Sequence, residues 1–231
     1  MHKILGIEQN TELWFDFRKY KLGGSKVGGL KPPVRGKFKG LYEGTAGFWK
    51  LISERLSLPK DTVEDERERG HRLEPRALEL TNKKYDINLV KGTIWQSDTN
   101  ERLYISPDGE EDIPEPSYAG ENKAFDPNKH LMLIWQDIQA QEIEGYRPFN
   151  SVPDDCKDQV VHYFTINEKL EKLYWTLECD MTAYEEMEHY CIVIERSTIL
   201  DEIEKQREVE QSVIQRTDLI VKELKDYFVK K

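Results

Sequence analysis

Ser106-Pro107-Asp108-Gly109, followed by Glu121-Asn122-Lys123, is the stretch on which the reading of this chain turns. Leu103-Tyr104-Ile105-Ser106 reads as a strand, Pro107-Asp108-Gly109 as a turn, and residues 119–125 as the return strand. In a strand, residues i and i+2 share a face. Glu121 and Lys123 are therefore expected to point one way and Asn122 the other, with Asp108 at the mouth of the preceding strand. If the two strands pair, two carboxylates and one ammonium converge at one point, with the site expected at the edge where Asp108 and Glu121 meet. That set suits phosphodiester hydrolysis. Carboxylates hold Mg²⁺ or Mn²⁺, hard cations that take oxygen ligands. The cation lowers the pKa of bound water and stabilises charge in the transition state. The lysine orients or deprotonates that water and offsets developing charge.

Upstream, residues 65–84 read as a helix with Leu73, Ala77 and Leu80 inward, and Pro75 inside it marks a boundary or a kink. This helix offers a third carboxylate, Glu74. Residues 43–57 read as a second helix through Phe48, Leu51, Ile52 and Leu56. A first short helix runs from a cap at Asn10 or Thr11 through Tyr20 and carries Trp14, Phe17 and Arg18. Between these two lies the basic, glycine-rich segment of about 19–40. From Lys19 to Lys39 it holds seven basic residues, five glycines and no acidic residue. Exposed backbone N–H groups with lysine and arginine suit phosphate, and a solvated linker is the alternative.

Thr93-Ile94-Trp95-Gln96 is expected to be a strand and residues 110–118, acidic with two prolines, an exposed connection. Residues 129–146 can be helical, and a helix starts at Asp154 or Asp155 and runs to about Ile166. Leu173–Cys179 and His189–Glu195 are the best strands. A charged helix of about 198–228 closes the chain with a stripe at Ile203, Val213, Ile220 and Leu224. The order predicts a single α/β domain over residues 1–231, a central mixed sheet flanked by helices.

The chain has 231 residues, 38% hydrophobic and 34% charged, with a net charge of −10. That acidity requires any DNA-facing charge to be local, as in the basic segment. No apolar run reaches the ~18 residues of a membrane helix, and the N-terminus lacks a long apolar stretch. The expected location is the cytoplasm, or the host cytoplasm for a viral protein. Cys156, Cys179 and Cys191 are odd in number and widely spaced, so reduced cysteines are expected. The five tryptophans (Trp14, Trp49, Trp95, Trp135 and Trp175) are expected in the core. No glycine-rich nucleotide motif follows a strand, which argues against a small-molecule enzyme.

In order, the chain shows Trp14-x-x-x-Arg18, Gly23-Gly24-Ser25-x-Val27, Lys31-Pro32 and Arg35, then Gly70-x-x-x-Glu74-x-x-Ala77. The central Ser106-Pro107-Asp108-Gly109 and Glu121-x-Lys123 follow, and then Gln159 and Tyr190-x-Ile192-Val193-Ile194-Glu195-Arg196. This series resembles the lambda-type exonucleases, or YqaJ-like viral recombinase nucleases, of the PD-(D/E)xK, restriction-endonuclease-like group. The resemblance runs over about residues 12–228.

The resemblance implies that Asp108 and Glu121 bind the metal, with Glu74 near a second ion and the carbonyl of Asn122 completing the ligand set. Lys123 is the implied catalytic lysine. Arg18, Ser25, Ser106 and Gln159 are the implied pocket for a 5′-terminal phosphate, with Arg35 a further DNA contact. The implied activity is 5′-to-3′ digestion of linear duplex DNA to 5′-mononucleotides by a ring-shaped homotrimer that feeds a single-strand-annealing recombinase. Departures are Asn122, where an apolar residue is usual, and the long stretches before Glu121 and between Lys123 and Gln159. The rivals are a RecB-like nuclease of other polarity and a non-catalytic DNA-end-binding protein. Relatives with a four-cysteine cluster do not suit three scattered cysteines.

Overall fold

The computed structural model describes residues 33–46, 48, 49, 53, 66–100 and 103–229. The expected helix from Thr11 to Tyr20, with Trp14, Arg18 and Ser25 and the basic segment up to Pro32, lies outside the described residues. Of the helix expected over 43–57, residues 43–46, 48, 49 and 53 are described: Tyr42–Gly44 is a 3-10 turn, Thr45 follows it outside any helix, and Ala46, Phe48, Trp49 and Ser53 are helical. Thr45 starts it, its hydroxyl accepting the Phe48 amide at 3.3 Å.

The longer helices are α1 (Glu66–Tyr85), α2 (Pro127–Gln141), α3 (Asp154–Ile166) and α4 (Leu200–Val229). The strands are β1 (Leu89–Lys91), β2 (Trp95–Gln96), β3 (Tyr104–Ile105), β4 (Gly109–Glu111), β5 (Tyr118–Ala124), β6 (Lys172–Glu178) and β7 (His189–Glu195). Five strands form one sheet in the order β1-β4-β5-β6-β7, and β2 and β3 pair as a separate hairpin. β4 is antiparallel to both β1 and β5. The amide of Lys172 bonds the carbonyl of Ser117, and the Thr176 hydroxyl bonds Asn122 further along, so β5 and β6 run parallel. Arg196 bonds Glu171 and Cys179 bonds Glu188, so β6 and β7 are antiparallel. The sheet is thus mixed and the α/β expectation holds. No helix among the described residues is long and apolar enough to cross a membrane.

The chain divides into two compact units. One holds the described residues up to Ala77, Asn122–Glu144 and Thr176–Tyr190, and the other holds Leu78–Glu121, Gly145–Trp175 and the described residues from Cys191 on. In the second unit, Leu89, Tyr174 and Cys191 pack with Leu78, Tyr85, Ile87, Tyr118 and Val193. The α3 side chains Val160, Tyr163 and Phe164 are buried in the same unit as Ile199 and Ile203. The guanidinium of Arg196 bonds the carbonyls of Phe164, Asn167 and Leu170, which supplies side-chain donors at and just beyond the end of α3.

Several local expectations change. α1 passes through Pro75 without a boundary, and its buried positions Arg69, Leu73, Ala77 and Thr81 recur every four residues. Leu80 is only half-buried. α2 begins at Pro127, ahead of the expected 129, because Asp126 caps it by accepting the amides of Asn128 and Lys129. Residues 109–111 are a strand between β1 and β5, where an exposed connection was expected. Trp135 is exposed, at 45%, against the expectation of a core position, and Val213 of the expected apolar stripe is exposed, at 58%. The cysteines are free, as expected, and all three are buried.

Candidate active site

Asp108 immediately precedes β4, and two close backbone contacts fix it there. Its carbonyl accepts the Gly92 amide at 3.1 Å, and its own amide donates to the Gly120 carbonyl at 3.1 Å. A Cβ on Gly92 would lie 2.0 Å from the carbonyl oxygen of Pro107, so only glycine permits this approach. Gly109 and Gly120 are register partners, and a Cβ on either would meet Leu78 of α1. The side of β5 opposite Gly120 carries Glu121. Asp108 is thus hydrogen-bonded to the peptide that leads into Glu121. β5 is the middle strand of the five-strand order, with β4 and β6 on its two sides.

The carboxylate of Glu121 is buried, 5% exposed. Its Oε1 accepts the Gln159 amide at 2.8 Å and its Oε2 accepts the Tyr163 hydroxyl. Both donors come from α3, one turn apart, so the helix period brings them to one point. Tyr163 is fully buried. Burial first, then the negative charges of Glu121 and Asp108, raises its pKa well above the ordinary tyrosine value. The phenol stays protonated and remains a donor. Gln159 was expected in a phosphate pocket, and the structure places its amide on Glu121. Sequence reasoning passed over Tyr163, although Gln159 and Tyr163 at i and i+4 on a predicted helix was an available signal.

A buried carboxylate on β4 was also missed. Glu110 is 8% exposed and bonds the Thr93 hydroxyl at 2.9 Å and the Trp95 indole N–H. Trp95 in turn packs edge-on against Tyr163, with ring centroids 6.2 Å apart. Ser106 is exposed, its hydroxyl 3.5 Å from the carbonyl of Thr93.

In the other unit, Glu74 on α1 bonds His71 at 2.9 Å and is partly exposed. Asn122 accepts the Thr176 hydroxyl at 3.1 Å, which gives this polar residue a partner where an apolar one was usual. Lys123 follows on β5 at the i+2 position from Glu121. Arg35 is exposed in the turn over 34–40.

Among the described residues, no group of three or more histidine, cysteine, aspartate or glutamate side chains is arranged to hold a metal ion. Asp108 and Glu121 nonetheless fit a hard cation. Mg²⁺ is usually held by one or two carboxylates, with water and substrate phosphate filling the other positions. The Glu121 oxygens accept from Gln159 and Tyr163, and a carboxylate oxygen can take more than one partner.

No family model and no curated protein matches the chain. Among solved structures, it is similar to LHK-Exo, the alkaline exonuclease from Laribacter hongkongensis. With the dAMP complex of that protein the identity is 19%, the match covers 91% of this chain and 100% of the other, and the TM-score is 0.44. A second structure of LHK-Exo gives 17%, 91% and 100%, and a TM-score of 0.43. A phage-related exonuclease from Haemophilus somnus 129PT is 15% identical over 79% of this chain and 87% of its own, with a TM-score of 0.39.

Proposed function

We propose that the chain is a single-domain, divalent-metal-dependent DNA exonuclease that hydrolyses linear duplex DNA from a 5′ end and releases 5′-mononucleotides. The observation that carries this reading is the buried Glu121 carboxylate, held on both oxygens by Gln159 and Tyr163, on the strand whose Gly120 carbonyl accepts the Asp108 amide. A carboxylate buried without strong partners is costly, and this one is oriented by two donors, as a metal ligand needs.

Asp108 and Glu121 supply the anionic oxygens for Mg²⁺ or Mn²⁺, with the Asn122 carbonyl as a further ligand and Glu74 near a second ion. The bound cation supplies Lewis-acid stabilisation of the scissile phosphate and a water of lowered pKa. Lys123 orients the attacking water and offsets charge that develops on the phosphate. Gln159 and Tyr163 hold Glu121 in one rotamer, so little reorganisation accompanies the reaction. Arg18, Ser25, Ser106 and Gln159 engage the 5′-terminal phosphate, and Arg35 contacts DNA. A homotrimeric ring in the cytoplasm, working with a single-strand-annealing recombinase, would let an acidic protein retain DNA by enclosure.

The test is digestion of an end-labelled linear duplex with Mg²⁺ or with EDTA, comparing 5′-phosphate and 5′-hydroxyl ends, for wild type and Lys123→Ala. Support is Mg²⁺-dependent release of mononucleotides from the 5′-phosphorylated strand that is lost in the variant. If the wild type cleaves no form of DNA, the enzyme reading fails and an end-binding protein remains.

A further inference from the structure

His162 lies on α3 between the two donors to Glu121. Its Nδ1 is 2.7 Å from Oε1 of Glu210 on α4, and its Nε2 is 3.1 Å from the carbonyl of Tyr104 on β3. A backbone carbonyl only accepts, so Nε2 carries a hydrogen. The same Glu210 oxygen also receives the Gln206 amide at 3.1 Å, and the Thr165 hydroxyl, whose nearer acceptor is the His162 carbonyl at 2.9 Å, lies 3.2 Å from it. An amide N–H2 only donates, so the Gln206 contact makes this oxygen an acceptor, and Nδ1 facing it at 2.7 Å carries a hydrogen as well. A ring with both hydrogens is an imidazolium. The shifts agree. The Glu210 hydrogen bond raises the His162 pKa against the effect of burial, and His162 and Gln206 lower that of Glu210, again against burial.

What His162 joins matters for the site. β3 pairs with β2 through Trp95 and Ile105. Trp95 packs on Tyr163 and bonds Glu110. The residue that braces the Tyr163 ring thus belongs to the hairpin that His162 grips by the Tyr104 carbonyl. α4 presents Glu210 and Gln206 to the imidazole, while Arg207 is engaged by Glu168 at 2.8 Å. β3 presents the Tyr104 carbonyl, its phenol being exposed, and α3 itself presents Thr165.

We propose that His162, as an imidazolium, is a positioning residue for the Asp108–Glu121 site: it ties α3 to α4 and to the β2–β3 hairpin at once, and cation binding weakens when its proton leaves. The proposal rests on the reading of that site as a metal site. Its direction is diagnostic. Carboxylates alone are already ionised at neutral pH and bind a cation no more weakly as pH rises, whereas this device predicts weaker binding at higher pH.

The test uses the full chain, wild type, His162→Gln and Glu210→Gln. Mn²⁺ affinity is measured by electron paramagnetic resonance, and the histidine ring nitrogens are followed by ¹⁵N spectroscopy. For wild type the dissociation constant rises roughly tenfold between about pH 6 and about pH 8.5, one pKa unit of coupling corresponding to that factor. His162→Gln gives a flat profile, and Glu210→Gln moves the wild-type loss to lower pH. A histidine of purely structural value would lower the melting temperature of the variants and leave the shape of the Mn²⁺ profile unchanged. If His162→Gln does not fold, the wild-type ring spectra and Glu210→Gln decide. The proposal is overturned by a neutral His162 ring at pH 6, or by profiles of one shape in wild type and variants. Mn²⁺ binding with unaltered pH dependence defeats this inference alone. No Mn²⁺ binding at any pH, with no digestion, defeats the nuclease reading with it.

Discussion

The hydroxyl of Tyr163 is bound to the oxygen of Glu121 that Gln159 does not occupy, so one turn of α3 fixes both halves of a buried carboxylate. Replacing Tyr163 by phenylalanine keeps the buried ring and removes one donor. Loss of a hydrogen bond to a charged group costs about 1.5–3 kcal/mol, and loss of a residue that orients a metal ligand costs roughly 10–100-fold in metal affinity or activity. Tyr163→Phe should therefore show both a lower urea midpoint and weaker Mg²⁺-dependent digestion. Unchanged digestion would show that Gln159 alone orients Glu121.

Gly92→Ala and Gly109→Ala should differ. At position 92 the new methyl meets the backbone oxygen of Pro107 at 2.0 Å, and the turn that carries Asp108 must move. At position 109 it meets Cδ2 of Leu78 at 2.3 Å, the far end of a side chain that can rotate. Overpacking costs about 1–3 kcal/mol, and Gly92→Ala should sit at or above the top of that range with Gly109→Ala below it. Chemical denaturation of both variants gives the order, and a reversed order would mean that the Pro107 turn yields readily.

Arg196 bonds three carbonyls, two of them from the end of α3 and the third from Leu170. Arg196→Ala removes this donor from the buried residues Phe164 and Leu170, while the Asn167 carbonyl keeps the Leu170 amide, and each buried acceptor left unpaired costs about 1–3 kcal/mol. Arg196→Lys should recover only part of this, since one ammonium cannot reproduce the planar fork. Thermal melts should rank wild type, lysine and alanine in that order.

His130 is fully buried and donates from Nε2 to the Met187 carbonyl at 2.6 Å. Burial lowers its pKa to about 4. The unfolded chain takes up a proton near the ordinary value of about 6.5 and the folded chain does not. The resulting stability is complete above the unfolded pKa and is lost as pH falls towards about 4. Its upper bound is roughly 3 kcal/mol at 1.36 kcal/mol per unit. The urea midpoint of His130→Gln should depend less on pH than that of wild type in this window.

The helices and long strands were legible where apolar periodicity was strong. α3 and β7 lie where expected, and β6 and α4 agree to within two residues. β4 escaped because its residues Gly109, Glu110 and Glu111 carry no apolar alternation. Its burial depends on Thr93 and Trp95, which meet Glu110 only in the folded chain. α2 was read late because its first turn is marked by the Asp126-Pro127 cap rather than by an apolar face.

For the site, the local sequence determined that Glu121 and Lys123 occupy alternate positions of one strand and that Asp108 precedes a tight glycine, because strand alternation and turn chemistry act over a few residues. Which donors reach Glu121 was decided only by tertiary structure. Gln159 and Tyr163 stand 38 and 42 residues away along the chain. Contacts over such distances come from how α3 packs on the sheet, and no local preference of the backbone records them. The same holds for His162. Its neighbours in sequence mark it as one more polar position on a helix, and only the approach of Glu210 and the Tyr104 carbonyl makes it a charged clamp.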